Sequence, residues 1–508
     1  MLEFHTPRQA AQWLQGRVTG TLQTDSRKVR PGDGFIAWPG AAVDARQYVA
    51  AALGSGASAV LVERQGIDPY AFHSDAVAAY PRLKAAAGLI AAAYFEQPSD
   101  HLEVVAVTGT NGKTSIAWWL AQALSNLKHG VPVPCAMVGT LGIGMPPAPG
   151  LGQTGADALA HVVATGLTTP DPVLLQRSFR QFVDEGVKAC AIEASSIGIE
   201  EHRLDGTLIR TAVFTNFTQD HLDYHGSMQA YWQSKLQLFQ WPGLQAAVIN
   251  IDDLQGAELA ANLIASGLDA WTVSCTAPAR LQALDICHDD QGMRFTVVEG
   301  QANHVLRTAL IGTYNVSNLL CVMAAMRSLG VPLAAVVEAC HDLTPVPGRM
   351  ECVQVAGHPL AAVDYAHTPD ALGKALQALR PLAQKRGGQL WCVFGCGGDR
   401  DPGKRPLMGA MAARYADRVV VTSDNPRSEK PETILSQILL GLSGHTDVTV
   451  QSDRALALAQ ALVLAAPHDV LLIAGKGHED YQEVAGQRLP FSDLEQVRRA
   501  LAQREDLK

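Results

Sequence analysis

One stretch limits what this chain can become. Val104-Val-Ala-Val-Thr-Gly-Thr-Asn-Gly-Lys-Thr114 passes from apolar residues, through two glycines, to a Lys-Thr pair. Val104 to Val107 predict a short buried strand, Gly109 and Gly112 a tight turn, and Ile116 to Leu124 a helix. Strand, glycine loop, Lys-Thr and helix are how a protein grips phosphates. Loop N–H groups and the helix N-terminus face the anion, the lysine bridges the outer phosphates and the threonine hydroxyl reaches Mg²⁺. The common form of this loop has a further glycine where this chain has Val107, so the loop is a shortened variant.

Length and composition set the frame. The 508 residues suggest three domains, and 47% hydrophobic content is enough for sizeable cores. The longest uncharged apolar run, Ala85 to Phe95, is too short to span a bilayer, so no membrane insertion is expected. Met1 to His5 has neither a basic start nor an apolar core, so no secretory leader is expected. Nine scattered cysteines, with Cys392 and Cys396 the closest pair, suggest a reducing compartment, hence the cytoplasm. A net charge of −9 without a basic tract argues against nucleic acid as a partner.

Residues 1–98 predict a small α/β segment with a strand at Ala57 to Glu63. Asp25, Ser26 and Arg27 form either a ligand-binding cluster or a turn that bonds to itself. Glu96 to Asp100 is a linker, and residues 99–345 hold the phosphate loop. Two later strands in that segment end in polar residues: one at Glu193, the other running into His221. Ligands gather beyond strand C-termini in open parallel sheets, which places Glu193 and His221 near the loop unless they are ordinary loop polarity. Met228, Tyr231, Trp232, Lys235, Leu236 and Phe239 then form one helical stripe, with Lys235 inside it. That lysine must snorkel out, find a carboxylate or change chemically. Further on, Asn315 and Asn318 face the same way on another helix. Thr344 to Glu351 is a second linker, and Arg349 within it is a candidate ligand contact.

Residues 346–508 alternate strand and helix, as in a doubly wound sheet. Four strands end in polar clusters, at Asp364 and His367, at Gly397 to Arg400, at Asp424 to Arg427, and at Gly475 to Glu479. Parallel strands bring such loops to one edge. Arginine and carboxylate together suit a zwitterion. A phosphate loop plus a zwitterion site predicts ATP-driven amide formation. The γ-phosphoryl group activates a carboxylate, an amine displaces phosphate, and the protein positions and neutralises charge. Thr114, Glu193 and His221 are sensible Mg²⁺ ligands or neighbours.

Several motifs carry a family resemblance over essentially the whole chain. Gly109-Thr-Asn-Gly-Lys-Thr114, Glu193-Ala-Ser-Ser196, Asn216 to His225, Tyr314 to Asn318, Pro347 to Glu351 and Asp364 to Pro369 resemble the Mur ligases, ATP-dependent amide-forming enzymes of peptidoglycan precursor synthesis. The resemblance implies an α/β, three-domain architecture. Residues 1–98 would bind a UDP-sugar, residues 99–345 ATP in a P-loop ATPase-like parallel sheet domain, and residues 346–508 the amino acid in a Rossmann-like doubly wound domain. It also accounts for the shortened loop.

Gly395 to Arg405, Asp424-Asn-Pro-Arg427 and Gly475 to Gln482 resemble the family branch that adds a diamino acid to UDP-N-acetylmuramoyl-L-alanyl-D-glutamate. This implies that Arg400, Asp424, Asn425, Pro426, Arg427, Gly475 and Glu479 hold the amino acid, and that it is meso-diaminopimelate. Arg427 can pair with a second carboxylate but would repel the ammonium of lysine. ATP would be held by Gly109, Thr110, Asn111, Gly112, Lys113, Thr114, Asn315 and Arg349. Thr24, Ser26, Thr168, Thr169, Ser195, Glu201 and Arg203 would line the nucleotide-sugar path. Glu201 and Ile197 stand where a relative has glutamine and histidine, and Glu201 would add negative charge beside an anionic ligand. Lys113, Glu193, His221 and Lys235 are the implied catalytic set, with Thr114, Glu193, His221 and Lys235 around Mg²⁺. Lys235 would be carbamylated by CO₂ to N6-carboxylysine. The expected enzyme is a monomer. A lysine-adding or folylpolyglutamate-type ligase, or an NTPase or kinase, are the alternatives.

Overall fold

A computed structural model describes residues 1–40, 43–128, 132–149, 157–289 and 292–505. Three sheets of five, eleven and six strands follow one another along the described residues, with a small two-stranded ribbon near the end. The first is parallel throughout and ends at Val77–Tyr80. The second starts with Glu103–Thr108. From Val104 to Val107 this strand is fully buried, as expected of a parallel strand covered on both faces. It lies mid-sheet, with Ala189–Glu193 on one side and Thr211–Phe214 on the other, both parallel to it. The phosphate loop, Glu193 and the segment leading to His221 therefore leave the sheet side by side. The helix Tyr314–Ser328 is apolar nearly all round, and buried from Val316 to Met326 except at Ser317.

At the far edge of this sheet the chain changes style. Leu281–Asp289, Gly292–Glu299 and Ala302–Thr308 pair antiparallel. Met293, Phe295 and Val297 point into the core while the residues between them do not, the period-two pattern of a half-covered sheet.

In the third sheet the strands Leu360–Asp364, Val470–Ala474, Leu390–Phe394 and Arg418–Val421 are adjacent and parallel, in that spatial order. The four polar clusters expected from the sequence are thus neighbours on one edge. The long helix Pro369–Arg386 shows why its boundaries fall where they do. Thr368 caps it by accepting from Ala371 N–H, Pro369 fits the first turn, and Gly387 closes it in the left-handed conformation at φ +70°.

All nine cysteines are unpaired. Among the described residues no helix is long and apolar enough to cross a membrane.

Candidate functional site

The phosphate loop is built by close approach. Gly109 adopts φ +143° and packs against the Thr215 side chain, leaving no space for a Cβ. Gly112, at φ +92°, packs against the Asn318 side-chain amide and caps the helix Lys113–Ser125. Asn111 locks the loop to the next strand: its N–H donates to Asn216 Oδ1 (3.0 Å), and its carbonyl accepts from Thr215 Oγ1 (2.6 Å). Lys113 Nζ donates to the carbonyls of Gly109 and Thr110 at 3.0 and 2.9 Å. Burial pushes the Lys113 ammonium below its ordinary range, opposed by Glu193 and Asp220.

Glu193 is fully buried, and its hydrogen-bond donors among the described residues are neutral. Thr114 Oγ1 donates at 3.1 Å, Thr140 N–H at 2.7 Å and Thr140 Oγ1 at 3.2 Å. Arg349 reaches across from the second linker to donate to Thr114 Oγ1 at 3.0 Å. Asn318 Nδ2 donates to Asn315 Oδ1 at 3.0 Å, so the two asparagines do share a face. All of these side chains line one cavity of about 710 Å³, together with Thr168, Asp220, His221, Asp364 and His367.

His221 is held at φ +53°, with Nε2 3.4 Å from Asp220. Burial lowers its pKa to about 4. Asp220 also faces His367 at 3.8 Å. Burial opposes its charge, but the imidazoles of His367 and His221 and the Lys404 ammonium hold its carboxyl below the usual range. The carboxyl of Asp364 is pushed up by burial, despite Arg349 and the N–H groups of Met350 and Ala366.

Lys235 does not snorkel. It is 1% exposed, with Nζ donating to Gly109 O at 2.9 Å and lying 4.3 Å from the Tyr231 ring centroid. The Tyr231 ring also meets His221 edge-to-face (ring centroids 5.9 Å), and its hydroxyl meets Thr110 Oγ1 at 3.2 Å. Burial, reinforced by the Lys113 charge, drives Lys235 well below the usual lysine range, toward the neutral amine.

Of the expected nucleotide-sugar path, Thr168 lines this cavity, and Thr169, Ser195 and Arg203 are bonded together behind Glu193. Thr169 Oγ1 donates to Glu193 O (2.7 Å) and meets Ser195 Oγ (2.9 Å), and Arg203 donates to Thr169 O (3.1 Å). Glu201 is held by Lys84 (2.7 Å) and by the Tyr224 hydroxyl (2.8 Å), so its added negative charge is neutralised within the protein. Thr24 and Ser26 stand apart, at the end of the strand Leu22–Gln23. Beside them Asp25 accepts from both the backbone and the guanidinium of Arg27, the self-bonded form of that turn.

The C-terminal loops interlock. Asn425 Nδ2 donates to Glu479 Oε2 at 2.8 Å, and Asp424 packs against Gly475, whose φ is +118°. Arg427, left-handed at φ +51°, donates through Nη1 to Gly398 O at 2.8 Å and pairs with the ribbon residues Glu483 and Ala485 through its backbone. Pro426 sits between them and is buried. Arg400 is exposed, lining a smaller recess of about 310 Å³ with Leu222 and Asp223.

Several cavity residues were not singled out from the sequence, among them Thr140, Asp220, Asp252 and Asp253. Thr140 directly follows the strand Cys135–Gly139, and Asp252 and Asp253 lie just past the end of Ala246–Asn250, so the strand-end rule that marked Glu193 marks them too.

Comparison with known proteins agrees with this architecture. Residues 107–326 match the model of the Mur ligase middle domain, and residues 348–477 that of the Mur ligase glutamate ligase domain. A UDP-N-acetylmuramoyl-L-alanyl-D-glutamate--2,6-diaminopimelate ligase from an Acidovorax species is 61% identical, with 98% of each chain covered. The protein of the same name from Pseudomonas aeruginosa is 44% identical, over 95% of this chain and 94% of its own. A solved structure under that name superposes with a TM-score of 0.62 at 35% identity, covering 96% and 95% of the two chains. The ADP complex of MurF from Thermotoga maritima shares the fold at 18% identity, with a TM-score of 0.65 and coverage of 97% and 99%. With both family domains matched in the order in which the two larger sheets occur, and with relatives this similar along nearly the full length, the chain belongs to the Mur ligase family.

Proposed function

We propose that this chain is an ATP-dependent ligase that joins meso-diaminopimelate to UDP-N-acetylmuramoyl-L-alanyl-D-glutamate. A carboxylate of the D-glutamyl end takes the γ-phosphoryl group of ATP and ADP leaves. The amine of the amino acid then attacks the acyl phosphate, phosphate departs, the amine loses a proton and the amide remains. Residues 1–98 hold the uridine end through Thr24 and Ser26, residues 99–345 hold ATP, and residues 346–508 hold the amino acid. The reaction belongs to cytoplasmic peptidoglycan precursor synthesis.

The observation that carries this reading is the shared cavity. Its one wall is the phosphate loop and Glu193, its other wall Arg349, Asp364 and His367 from the amino-acid side. Lys113 and Arg349 neutralise phosphate charge, and the hydroxyls of Thr114 and Thr140 with the Thr140 N–H fix the Glu193 carboxylate beside the loop.

Thr114 Oγ1 beside the Glu193 carboxylate is an oxygen pair of the kind Mg²⁺ takes when phosphates and water complete its shell. Bound there, Mg²⁺ would offset the charge of the transferring phosphoryl group. His221 lies on the same cavity. Lys235, driven toward the neutral amine, has the nucleophilicity that carbamylation by CO₂ requires. Addition of its amine to CO₂, with loss of a proton, would replace a sealed amine with a carboxylate beside the loop carbonyl of Gly109.

The test is phosphate release from ATP with the UDP-muramoyl-dipeptide, comparing meso-diaminopimelate with lysine. Meso-diaminopimelate should be preferred by about 100-fold or more in kcat/KM, because Arg427 meets a carboxylate in one case and an ammonium in the other. Equal rates would overturn the choice of amino acid, and release without either would favour a simple NTPase.

A further inference from the structure

The loop after the strand Val470–Ala474 contains a lysine that the reaction above does not use. Lys476 is 0% exposed. A buried ammonium is costly unless it is paired and hydrogen-bonded. Lys476 Nζ donates to Glu479 Oε2 at 2.9 Å and to Asn425 Oδ1 at 3.0 Å, and lies 5.5 Å from the Tyr481 ring centroid.

These contacts fix two neighbours at once. Asn425 Oδ1 also accepts from Glu483 N–H at 2.9 Å, so two donors define that atom as the oxygen. The amide nitrogen of Asn425 must then face Glu479 Oε2, where it donates at 2.8 Å. Glu479 Oε2 is thereby held from two directions, while Oε1 accepts no hydrogen bond among the described residues. The Glu479 side chain is 16% exposed, so the carboxylate keeps an accessible edge. Arg427 N–H donates to Glu483 O at 3.0 Å, so the same ribbon residue ties the arginine loop to Asn425.

We infer that Lys476 is a positioning residue for amino-acid selection: it clamps one oxygen of Glu479 and orients Asn425, leaving the other Glu479 oxygen to receive the ammonium at the far end of a diamino dicarboxylate. Arg427 takes the carboxylate of that far end. This rests on the ligase reading above and extends it to how the distal amine is recognised. Lys476 itself touches no substrate. Its ammonium offsets the Glu479 charge and removes the rotamer freedom that a lone carboxylate would lose on binding.

The experiment compares meso-diaminopimelate with L-2-aminopimelate, which keeps both carboxylates and one amine but lacks the distal amine. The native enzyme should favour meso-diaminopimelate by about 10- to 100-fold in kcat/KM, the worth of one charge-assisted hydrogen bond. In Lys476→Met the ratio should fall to within about threefold, through KM for meso-diaminopimelate, while KM for ATP stays put. Glu479→Gln should collapse the ratio similarly, and the double variant should lose little more. A merely structural lysine would raise KM for both amino acids alike and leave the ratio intact, and that result overturns the inference. Should Lys476→Met not fold, the native enzyme decides by NMR. The Lys476 ammonium resonance should shift on adding meso-diaminopimelate and much less with L-2-aminopimelate; equal shifts overturn the inference. Absence of phosphate release with meso-diaminopimelate in the native enzyme would sink the ligase reading instead, a distinguishable failure.

Discussion

At the scale of single residues, the site works by sealing charged groups away from water and then controlling who meets them. Lys235 is the extreme case. An apolar helical stripe in the sequence already contained it, but pattern alone left three fates open. Its burial and its hydrogen bond to Gly109 O exclude snorkelling, and no carboxylate bonds to its Nζ among the described residues. The third fate, chemical change, is the one proposed above. Lys235→Ala should then lose most activity, at least about 100-fold in kcat, since a ligand of the phosphoryl-transfer centre goes with it. Added formate or acetate should restore part of that loss by supplying a carboxylate in the vacated space. Steady-state kinetics with and without the added acid reads both, and an absence of rescue at saturating acid counts against the carbamate.

Elements show where sequence reasoning was sufficient and where it stopped. Continuous apolar runs bounded by glycine or polar residues identified the strands that end at the phosphate loop, at Glu193 and at the four C-terminal loops, because strands buried on both faces leave that signature. The antiparallel strands from Leu281 to Thr308 were not read. Their alternation of Met293, Phe295 and Val297 with polar neighbours is a weaker signal than an unbroken run. The placement of Arg454 could not be read at all, since a lone arginine at a helix start says nothing about its partner. It is fully buried against Asp493, with both guanidinium–carboxylate bonds at 2.7 Å. It also donates to Ser423 O and Ala474 O, at or just past the ends of two strands that carry candidate amino-acid loops. Removing one partner of such a pair leaves an uncompensated charge. Asp493→Ala should therefore destabilise the C-terminal unit by about 3–5 kcal/mol. Chemical denaturation followed by circular dichroism measures it, and a change below about 1 kcal/mol would mean that the pair contributes little.

Over the whole molecule, the described contacts between the phosphate-loop domain and the C-terminal domain combine apolar packing, with Ile311 and Tyr314 against the C-terminal core, and a set of polar bridges. Arg349 meets Thr114, Asn111 Nδ2 donates to Asp370 Oδ2 at 3.1 Å, His367 faces Asp220, and Gln219 reaches Asp401 at 3.4 Å. Ligands that bridge the polar part of such an interface favour the closed arrangement. Asp370 starts the helix Pro369–Arg386, and Lys374 one turn later also pairs with it, at 2.9 Å. Asp370→Ala should raise KM for ATP about two- to tenfold by loosening the hold on Asn111, while the melting temperature shifts by about 2 °C or less, as for a surface substitution. Steady-state kinetics and a thermal melt separate the two effects, and an unchanged KM would argue that this contact does not steer closure.

The adjacency of the four parallel strands in the C-terminal sheet has a consequence for how such an enzyme changes over evolutionary time. Every residue of Leu360–Asp364, Leu390–Phe394 and Val470–Ala474 is buried, whereas the candidate amino-acid contacts all lie beyond the strand ends. The frame and the recognition surface therefore mutate almost independently. A lineage can exchange the amino acid it accepts by altering a handful of loop positions, with the packed interior and the phosphate grip inherited unchanged.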